Sequence, residues 1–215
     1  DEDAPGPIPD VPEATPDEVS FLLDTVNTAL ALSLTPGDVL GTYAGLRPLI
    51  DTGAGSTADV SRDHAVTESE TGVLSVIGGK LTEYRYMAED VIDRAVQLRS
   101  LTAGPCRTRN IPLVGAPANP VATLRTPVGL PGSLVARYGA EAPNVIARAT
   151  CPRPTDLVAD GIDVTRAEFE YAVTHEGALT VDDILDRRTR IGLVAEDRAR
   201  AQDVAQICPE PVMRR

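Results

Sequence analysis

Two segments in the first hundred residues carry a helical period of apolar side chains. Over residues 16–30 the apolar side chains recur every three to four positions, which predicts an amphipathic helix. Thr15 and Glu18 at its start match a capping box, in which each residue's side chain bonds the other's backbone. The same period returns over residues 81–98 and predicts a second helix there.

Short apolar runs lie between these two helices and have the length of strands. They occupy residues 39–50, 59–66 and 73–77, and turn-forming residues separate them. Because consecutive strands joined by short loops pair as hairpins, the runs predict antiparallel pairing. The first hundred residues are therefore predicted to combine antiparallel strands with helices, an α+β class.

A segment rich in proline and glycine marks a boundary in the middle of the chain. It covers residues 102–131, and the pattern after it is helical. We therefore predict two domains, one over residues 1–99 and a small all-α domain over residues 104–215.

Three helix starts are predicted within the second of these domains. Ser133 is placed to cap the first of them. Thr165 with Glu168, and Thr180 with Asp183, show the three-residue spacing of a capping box.

Composition narrows the classes of function. The 215 residues carry a net charge of −12, which disfavours nucleic acid as a partner because phosphate binding needs a clustered basic face.

Three cysteines, Cys106, Cys151 and Cys208, lie far apart and indicate reduced thiols in the cytosol. No apolar run approaches the roughly 20 residues of a membrane span. The first residues, DEDAPGPIPD, lack a methionine, and we expect the chain to be a fragment of a longer protein.

The strongest candidate for chemistry is the sequence Gly78-Gly79-Lys80, which lies between a predicted strand and a predicted helix. A helix start presents unpaired N–H groups, two glycines allow close approach to the backbone, and the lysine adds positive charge. These features predict an anion site. The alternative is a Gly-Gly turn followed by a solvated lysine.

Strand pairing would bring two further cations to this turn. A hairpin centred near residue 70 would place Arg62 opposite residue 78, and pairing of strands 43–50 and 60–67 would place Arg47 opposite Arg62. Like charges opposite each other destabilise a sheet, so an anion such as phosphate is expected between them. The alternative is that these cations pair with nearby aspartates.

Other motifs fit less well with catalysis. Residues 53–58 match G-x-G-x-x-A, but a strand follows instead of the required helix, so they predict a hairpin loop. His175 lacks the second histidine of a zinc helix, so we expect it to form a hydrogen bond on a helix surface or between helices, and to bind no metal. His64 shares a strand face with Arg62 and is a candidate base, with a purely structural role as the alternative. The basic run at residues 187–190 predicts a salt-bridged face or an interface.

Several stretches resemble the FAD-dependent glycerol-3-phosphate dehydrogenases of the aerobic type. GTYAGLRPLI, SRDHAV and LSVIGGKLTEYRYMAEDVIDRAV carry the likeness in the first half of the chain. YAVTHEGALTVDDILDRRTRIGL resembles that family's C-terminal helical domain. The resemblance runs over residues 15–201. It implies that residues 1–99 are the C-terminal part of an FAD and substrate-binding domain, followed by the helical domain.

The resemblance also implies roles for individual residues. Arg47 would lie beside flavin and substrate as a catalytic and substrate-binding residue, and Arg62 and Lys80 would hold the substrate phosphate. The implied FAD contacts come from five consecutive residues at the start of the helix: Gly78, Gly79, Lys80, Leu81 and Thr82.

The implied reaction is the oxidation of sn-glycerol 3-phosphate to dihydroxyacetone phosphate, with electrons passed to quinone. The expected location is cytoplasmic, peripheral on the inner face of the cell membrane, with a homodimer as the expected assembly. Because the family's N-terminal G-x-G-x-x-G fingerprint is missing, the chain alone is expected to be inactive. Two alternatives remain: an oxidase that passes electrons to oxygen, and a non-catalytic helical interaction module.

Overall fold

The structure, a computed structural model, describes residues 7–47, 50, 63–117 and 129–207. In chain order the α-helices are α1 (Pro16–Asn27), α2 (Tyr84–Leu98), α3 (Gly132–Tyr138), α4 (Ala142–Arg148), α5 (Arg166–Thr174) and α6 (Ala195–Ile207). The strands are β1 (His64–Glu68), β2 (Leu74–Gly78), β3 (Leu157–Ala159) and β4 (Ile162–Thr165). Both strand pairs are antiparallel, so the predicted α+β class is confirmed.

The chain divides into two compact units. The first unit comprises residues 1–13 and 44–111, and the second comprises residues 14–43 and 112–215. Helix α1 therefore belongs to the second unit, although it precedes the hairpin in sequence. The domains assigned to residues 1–99 and 104–215 stay predictions.

The β1–β2 hairpin forms where it was predicted, but its register differs. His64 lies opposite Gly78, whereas the predicted register placed Arg62 there. The turn explains the difference, because Ser69 N–H donates to the Val73 carbonyl over 2.9 Å and Gly72 adopts a φ of +84°. This turn centres the hairpin one residue later, which shifts each pairing by two positions.

The strand predicted at residues 39–50 is wrong over its described part. Residues 39–47 follow a 3₁₀ turn, Pro36–Asp38, and form no strand. The glycines do allow close backbone approach, as expected, but Gly41 lies against the carbonyl of Leu193 instead of a neighbouring strand. Arg47 therefore does not lie in a strand and cannot take part in the predicted sheet pairing. Its predicted partner, Arg62, lies outside the described residues.

The second unit holds the buried core, and helix α5 runs through its centre. Phe169 and Ala172 face one apolar cluster, while Ala167 and Tyr171 face another. Every residue from 167 to 172 is buried, so α5 is enclosed on all sides. The core also includes side chains from the other elements: Leu134, Val145, Val158, Ile162, Val164, Ile184, Leu185, Ile191, Ala201 and Ala205.

The all-α prediction for the second half is wrong because of the β3–β4 hairpin. Val158, Ile162 and Val164 point into the core, and Gly161 at the turn has a φ of +77°. An Asp-Gly pair between alternating apolar residues is a strong hairpin signal, and the sequence carried it at residues 160–161.

Two of the three predicted helix starts in the second half are confirmed. Thr165 and Glu168 form a reciprocal capping box at α5. Asp183 N–H donates to Thr180 Oγ over 3.1 Å, and Thr180 N–H donates back to the Asp183 carboxylate over 3.0 Å. This second cap opens a π-helical segment, Asp183–Arg188.

The cap predicted at Ser133 is wrong. Helix α3 begins at Gly132, and the Ser133 hydroxyl donates to the Asp163 carbonyl over 2.9 Å. The serine hydroxyl therefore ties α3 to β4 in place of capping its own helix. At α1, by contrast, the predicted capping box of Thr15 and Glu18 is present.

Glu170, on the enclosed helix α5, accepts hydrogen bonds from a neighbouring loop. The Thr150 hydroxyl donates over 2.6 Å, and the N–H groups of Thr150 and Cys151 each donate over 2.8 Å. Burial alone would raise the pKa of Glu170, but these hydrogen bonds outweigh it and hold the pKa below its ordinary value. Burial, together with Glu170, raises the pKa of the Cys151 thiol to about 11.

Glu170→Gln is expected to make the stability of the second unit less sensitive to acid. A carboxylate with a lowered pKa stabilises the fold above its ordinary pKa and loses that contribution as the pH falls through the folded value. Urea unfolding between about pH 5 and pH 3 tests this, since the ordinary pKa is about 4.3. Glu196→Gln, on the exposed start of α6, is the control, and its free energy of unfolding should change with pH as that of the wild type does. If the free energy of unfolding of Glu170→Gln falls as steeply with acid as that of the wild type, the assignment of a lowered pKa to Glu170 is wrong.

Candidate functional site

The turn between β2 and α2 contains the predicted Gly78-Gly79-Lys80 sequence. Gly78 and Gly79 adopt φ values of +74° and +78°, a region that side-chain-bearing residues rarely enter. Gly79 N–H donates to the Asp63 carbonyl over 3.3 Å, which fixes the turn against the start of β1. The chain then forms the 3₁₀ turn Leu81–Glu83 and continues directly into α2.

The close packing around Gly79 explains why this position is a glycine. A Cβ added there would lie 2.5 Å from Met87 Sδ and 3.2 Å from His64 Cβ. Both the backbone conformation and the space therefore exclude a larger residue. The turn places Lys80 at the start of the 3₁₀ turn, where N–H groups lack helical partners.

Gly79→Ala is expected to destabilise the β1–β2 hairpin. The left-handed backbone alone costs about 1–2 kcal/mol for an alanine, and displacement of Met87 adds to it. Hydrogen exchange of the β1 and β2 amides measures the effect within the first unit. Gly45→Ala is the control, since nothing lies within 4 Å of its added Cβ and its φ is not positive. If the β1 and β2 amides are equally protected from hydrogen exchange in Gly79→Ala and Gly45→Ala, the packing argument is wrong.

Lys80 is paired but remains accessible to solvent. Its Nζ lies 3.1 Å from Glu83 Oε1, with 52% of the lysine side chain exposed. An exposed pair of this kind is weak, at about 0–1 kcal/mol, so an incoming anion has little to displace. Leu81 is 89% exposed and Thr82 is also exposed, so the backbone after the glycines faces solvent.

His64 is held between the hairpin and α2. Its Nε2 lies 2.9 Å from Asp90 Oδ2, and its side chain is only 10% exposed. The ring of Tyr86 contacts it edge-on, with centroids 5.5 Å apart. The histidine therefore has a fixed position beside the glycine turn.

An open pocket of about 570 Å³ lies beside this turn in the first unit. Its lining residues are Asp63, His64, Thr82, Glu83, Arg85 and Tyr86. His64 and Thr82 were sequence candidates, whereas the other four were not.

Arg85 is the most informative of the pocket residues that sequence reasoning missed. It donates to Glu89 over 2.5 Å and to Thr108 over 3.3 Å, so it joins α2 to the 3₁₀ turn Thr108–Asn110. The hydrogen bond from Arg85 holds the pKa of Glu89 below its ordinary value. The sequence could have predicted the contact between Arg85 and Glu89, because arginine and glutamate four residues apart on a helix commonly form an ion pair.

The structure gives less information on Arg47 and Arg62, the two arginines that the sequence singled out. Arg62 lies outside the described residues. Arg47 is exposed in an irregular segment, and Ile50, three residues later, packs against Gly78. The predicted roles of both arginines stay predictions.

His175 lies in the second unit and forms the predicted inter-helix hydrogen bond. Arg148 on α4 lies 2.8 Å from His175 Nε2, and Thr174 Oγ lies 2.7 Å from Nδ1. The ring stacks on Tyr171 with centroids 4.3 Å apart. Both ring nitrogens are therefore occupied.

The predicted salt-bridged face at residues 187–190 is also present. Arg187 donates to Asp183 over 2.8 Å, and Arg188 donates to the Glu176 carbonyl over 2.9 Å. Across the described ranges, no three His, Cys, Asp or Glu side chains are placed to hold a metal ion. None of the helices in those ranges has the length and apolarity to cross a membrane.

Comparison with known proteins shows which proteins the chain resembles. A family model described as the C-terminal domain of alpha-glycerophosphate oxidase matches residues 106–211. Glycerol-3-phosphate dehydrogenase 1 of Mycobacterium tuberculosis is 71% identical over 210 residues, which are 96% of this chain and 41% of that protein. Nearly the whole chain is therefore similar to the C-terminal portion of a glycerol-3-phosphate dehydrogenase.

Two more distant relatives match over a similar range of the chain. The glycerol-3-phosphate dehydrogenase of Mycobacterium leprae is 38% identical over 91% of this chain and 36% of its own length. The probable mitochondrial glycerol-3-phosphate dehydrogenase of Dictyostelium discoideum is 31% identical over 92% of this chain and 34% of its own length. The chain thus spans less than half the length of these curated relatives, in the part that includes the C-terminal domain.

Proposed function

We propose that this chain forms part of an enzyme that oxidises sn-glycerol 3-phosphate to dihydroxyacetone phosphate, with FAD as the hydride acceptor. The observation that supports this most strongly is the Gly78-Gly79-Lys80 turn at the start of a helix, in a chain 71% identical to a glycerol-3-phosphate dehydrogenase. Whatever the complete enzyme adds, this turn supplies an anion-binding geometry.

Lys80 and the arginines are assigned to the substrate. Lys80 Nζ and Arg62 would hold the phosphate, which does not react, and would thereby orient C2 of the substrate. Arg47 would stabilise the negative charge that develops on the substrate oxygen. The exposed side chain of Lys80 and its weak pair with Glu83 suit this exchange of partners.

The glycine turn suits a bound flavin for a separate reason. The solvent-facing backbone at Leu81 and Thr82 provides a surface on which a flat, polar ring can rest, next to the positive end of the helix. FAD supplies hydride acceptance, while these residues bind and orient it.

For the final electron acceptor we propose quinone. An enzyme that reduces a membrane quinone must reach the membrane, so the proposed location is the cytoplasmic face of the cell membrane, with peripheral association. A homodimer is the proposed assembly. Liposome flotation and sedimentation of the complete enzyme test these two proposals.

The central experiment compares the chain alone with a complete enzyme. The complete enzyme is a chimera in which this chain replaces the matching 210 residues of the M. tuberculosis relative. We expect the chimera to bind FAD and its flavin to bleach with glycerol 3-phosphate under anaerobic conditions. The chain alone is expected to bind no flavin. A chimera that is folded and flavin-loaded but not bleached by this substrate would overturn the proposal.

An oxidase is the second candidate, because the matching family model is described by an alpha-glycerophosphate oxidase. The two functions share the same reductive step and differ in what reoxidises the flavin. Peroxide formed in stoichiometric amounts in air, without added quinone, would favour the oxidase.

A further inference from the structure

The contact between His64 and Asp90 carries an inference beyond the binding roles described above. His64 begins β1, and Asp90 lies in the second turn of α2, 26 residues later. The two side chains meet at 2.9 Å because the hairpin packs on the helix. A carboxylate only accepts hydrogen bonds, so Nε2 must be the ring nitrogen that donates.

This hydrogen bond determines the chemistry of the other nitrogen. In a neutral imidazole, a proton on Nε2 leaves Nδ1 as an acceptor. Within the part of the chain that the structure describes, Asp90 is the side chain hydrogen-bonded to His64, so Nδ1 has no described partner. The ring is nine-tenths buried yet lines the open pocket, directly across the strand pair from Gly78.

We propose that Asp90 is a positioning residue that holds His64 with Nδ1 ready to accept the proton of the substrate hydroxyl. This inference rests on the proposed function. In the step, the O–H bond of the alcohol breaks, its proton goes to Nδ1, and the hydride on the same carbon goes to the oxidised flavin named above, leaving a ketone. Tyr86, edge-on to the ring, restricts its rotation.

The first test is direct and does not require activity. The chain has two histidines, so imidazole ¹⁵N spectra of the labelled 215-residue chain at pH 8 contain two rings, which His64→Gln assigns. We expect the Nε2–H tautomer for His64 in the wild type, and a severalfold rise of the Nδ1–H tautomer in Asp90→Asn. Asp90→Glu should retain the wild-type tautomer. Asp93→Asn, on an exposed position of the same helix, is the matched control.

The second test uses the chimera. Asp90→Asn is expected to lower kcat by roughly 10–100-fold, the usual effect of losing a residue that orients a reacting group, with KM within about twofold. Asp93→Asn should leave both parameters unchanged.

The outcomes separate the two proposals. An unchanged tautomer in Asp90→Asn, or a wild-type ring protonated on Nδ1, would overturn the positioning role whatever the enzyme does. A changed tautomer with unchanged kcat would show that the pair is structural and would also overturn it. A wild-type chimera without activity would instead count against the proposed function.

Discussion

Lys80→Ala in the complete enzyme is expected to weaken binding of glycerol 3-phosphate by about 1.5–3 kcal/mol, the usual contribution of a hydrogen bond to a charged group. This corresponds to roughly a 10–150-fold increase in Kd. The loss is expected because Lys80 lies at a helix start, where under the proposed function its charge and the unpaired N–H groups would act on the same anion. Titration of the reduced chimera with the phosphate substrate measures the effect.

Glu83→Gln provides the matched control for Lys80→Ala. It removes the negative charge of the lysine's partner, 3.1 Å away, but keeps the lysine, so affinity should stay the same or increase. Arg62→Ala carries the same expected loss as Lys80→Ala. If both cation variants bind the substrate as tightly as the wild type, the phosphate assignment is wrong.

Glu168→Ala is expected to destabilise the second unit by about 1–3 kcal/mol, the usual cost of leaving a buried hydrogen-bond donor without its acceptor. Glu168 is 1% exposed and accepts hydrogen bonds from Thr165 N–H over 2.6 Å and from Arg137 Nε over 2.6 Å. Alanine would leave both donors without an acceptor and would remove the Glu168 half of the capping box of α5. Urea unfolding followed by helical circular dichroism measures the loss.

A double substitution tests whether the buried charge is the cause. Glu168→Leu combined with Arg137→Met removes both charges and should regain part of the stability lost in Glu168→Ala. A loss below about 1 kcal/mol in the single variant would place Glu168 among ordinary surface residues.

Local signals in the sequence predicted the helix starts that carry a capping box. The capping boxes at Thr15, Thr165 and Thr180 are present because each depends on residues only three positions apart. The glycine pair was likewise predictable, since a strand, two glycines and a helical period follow one another directly. These features require no knowledge of distant packing.

Features that depend on distant contacts were not predictable in the same way. The register of β1–β2 depended on how the Ser69–Val73 turn closes, and a change of one residue in its centre placed His64 opposite Gly78. The Gly41 segment packs on Leu193, about 150 residues later, which no local period indicates. Asp90 was missed for the same reason, because its contact with His64 exists only once the hairpin lies on α2.

The unequal burial of the two units has a consequence for cooperativity. In the second unit, Phe169, Leu134 and Leu185 are fully enclosed, whereas no described residue of the first unit reaches that burial. Because the described part of the first unit has no fully enclosed apolar side chains, few contacts couple its helices and strands. Its amides should therefore exchange through local openings that cost less free energy. The isolated chain should therefore melt in two steps, and a single melting temperature would describe only the α5-centred unit.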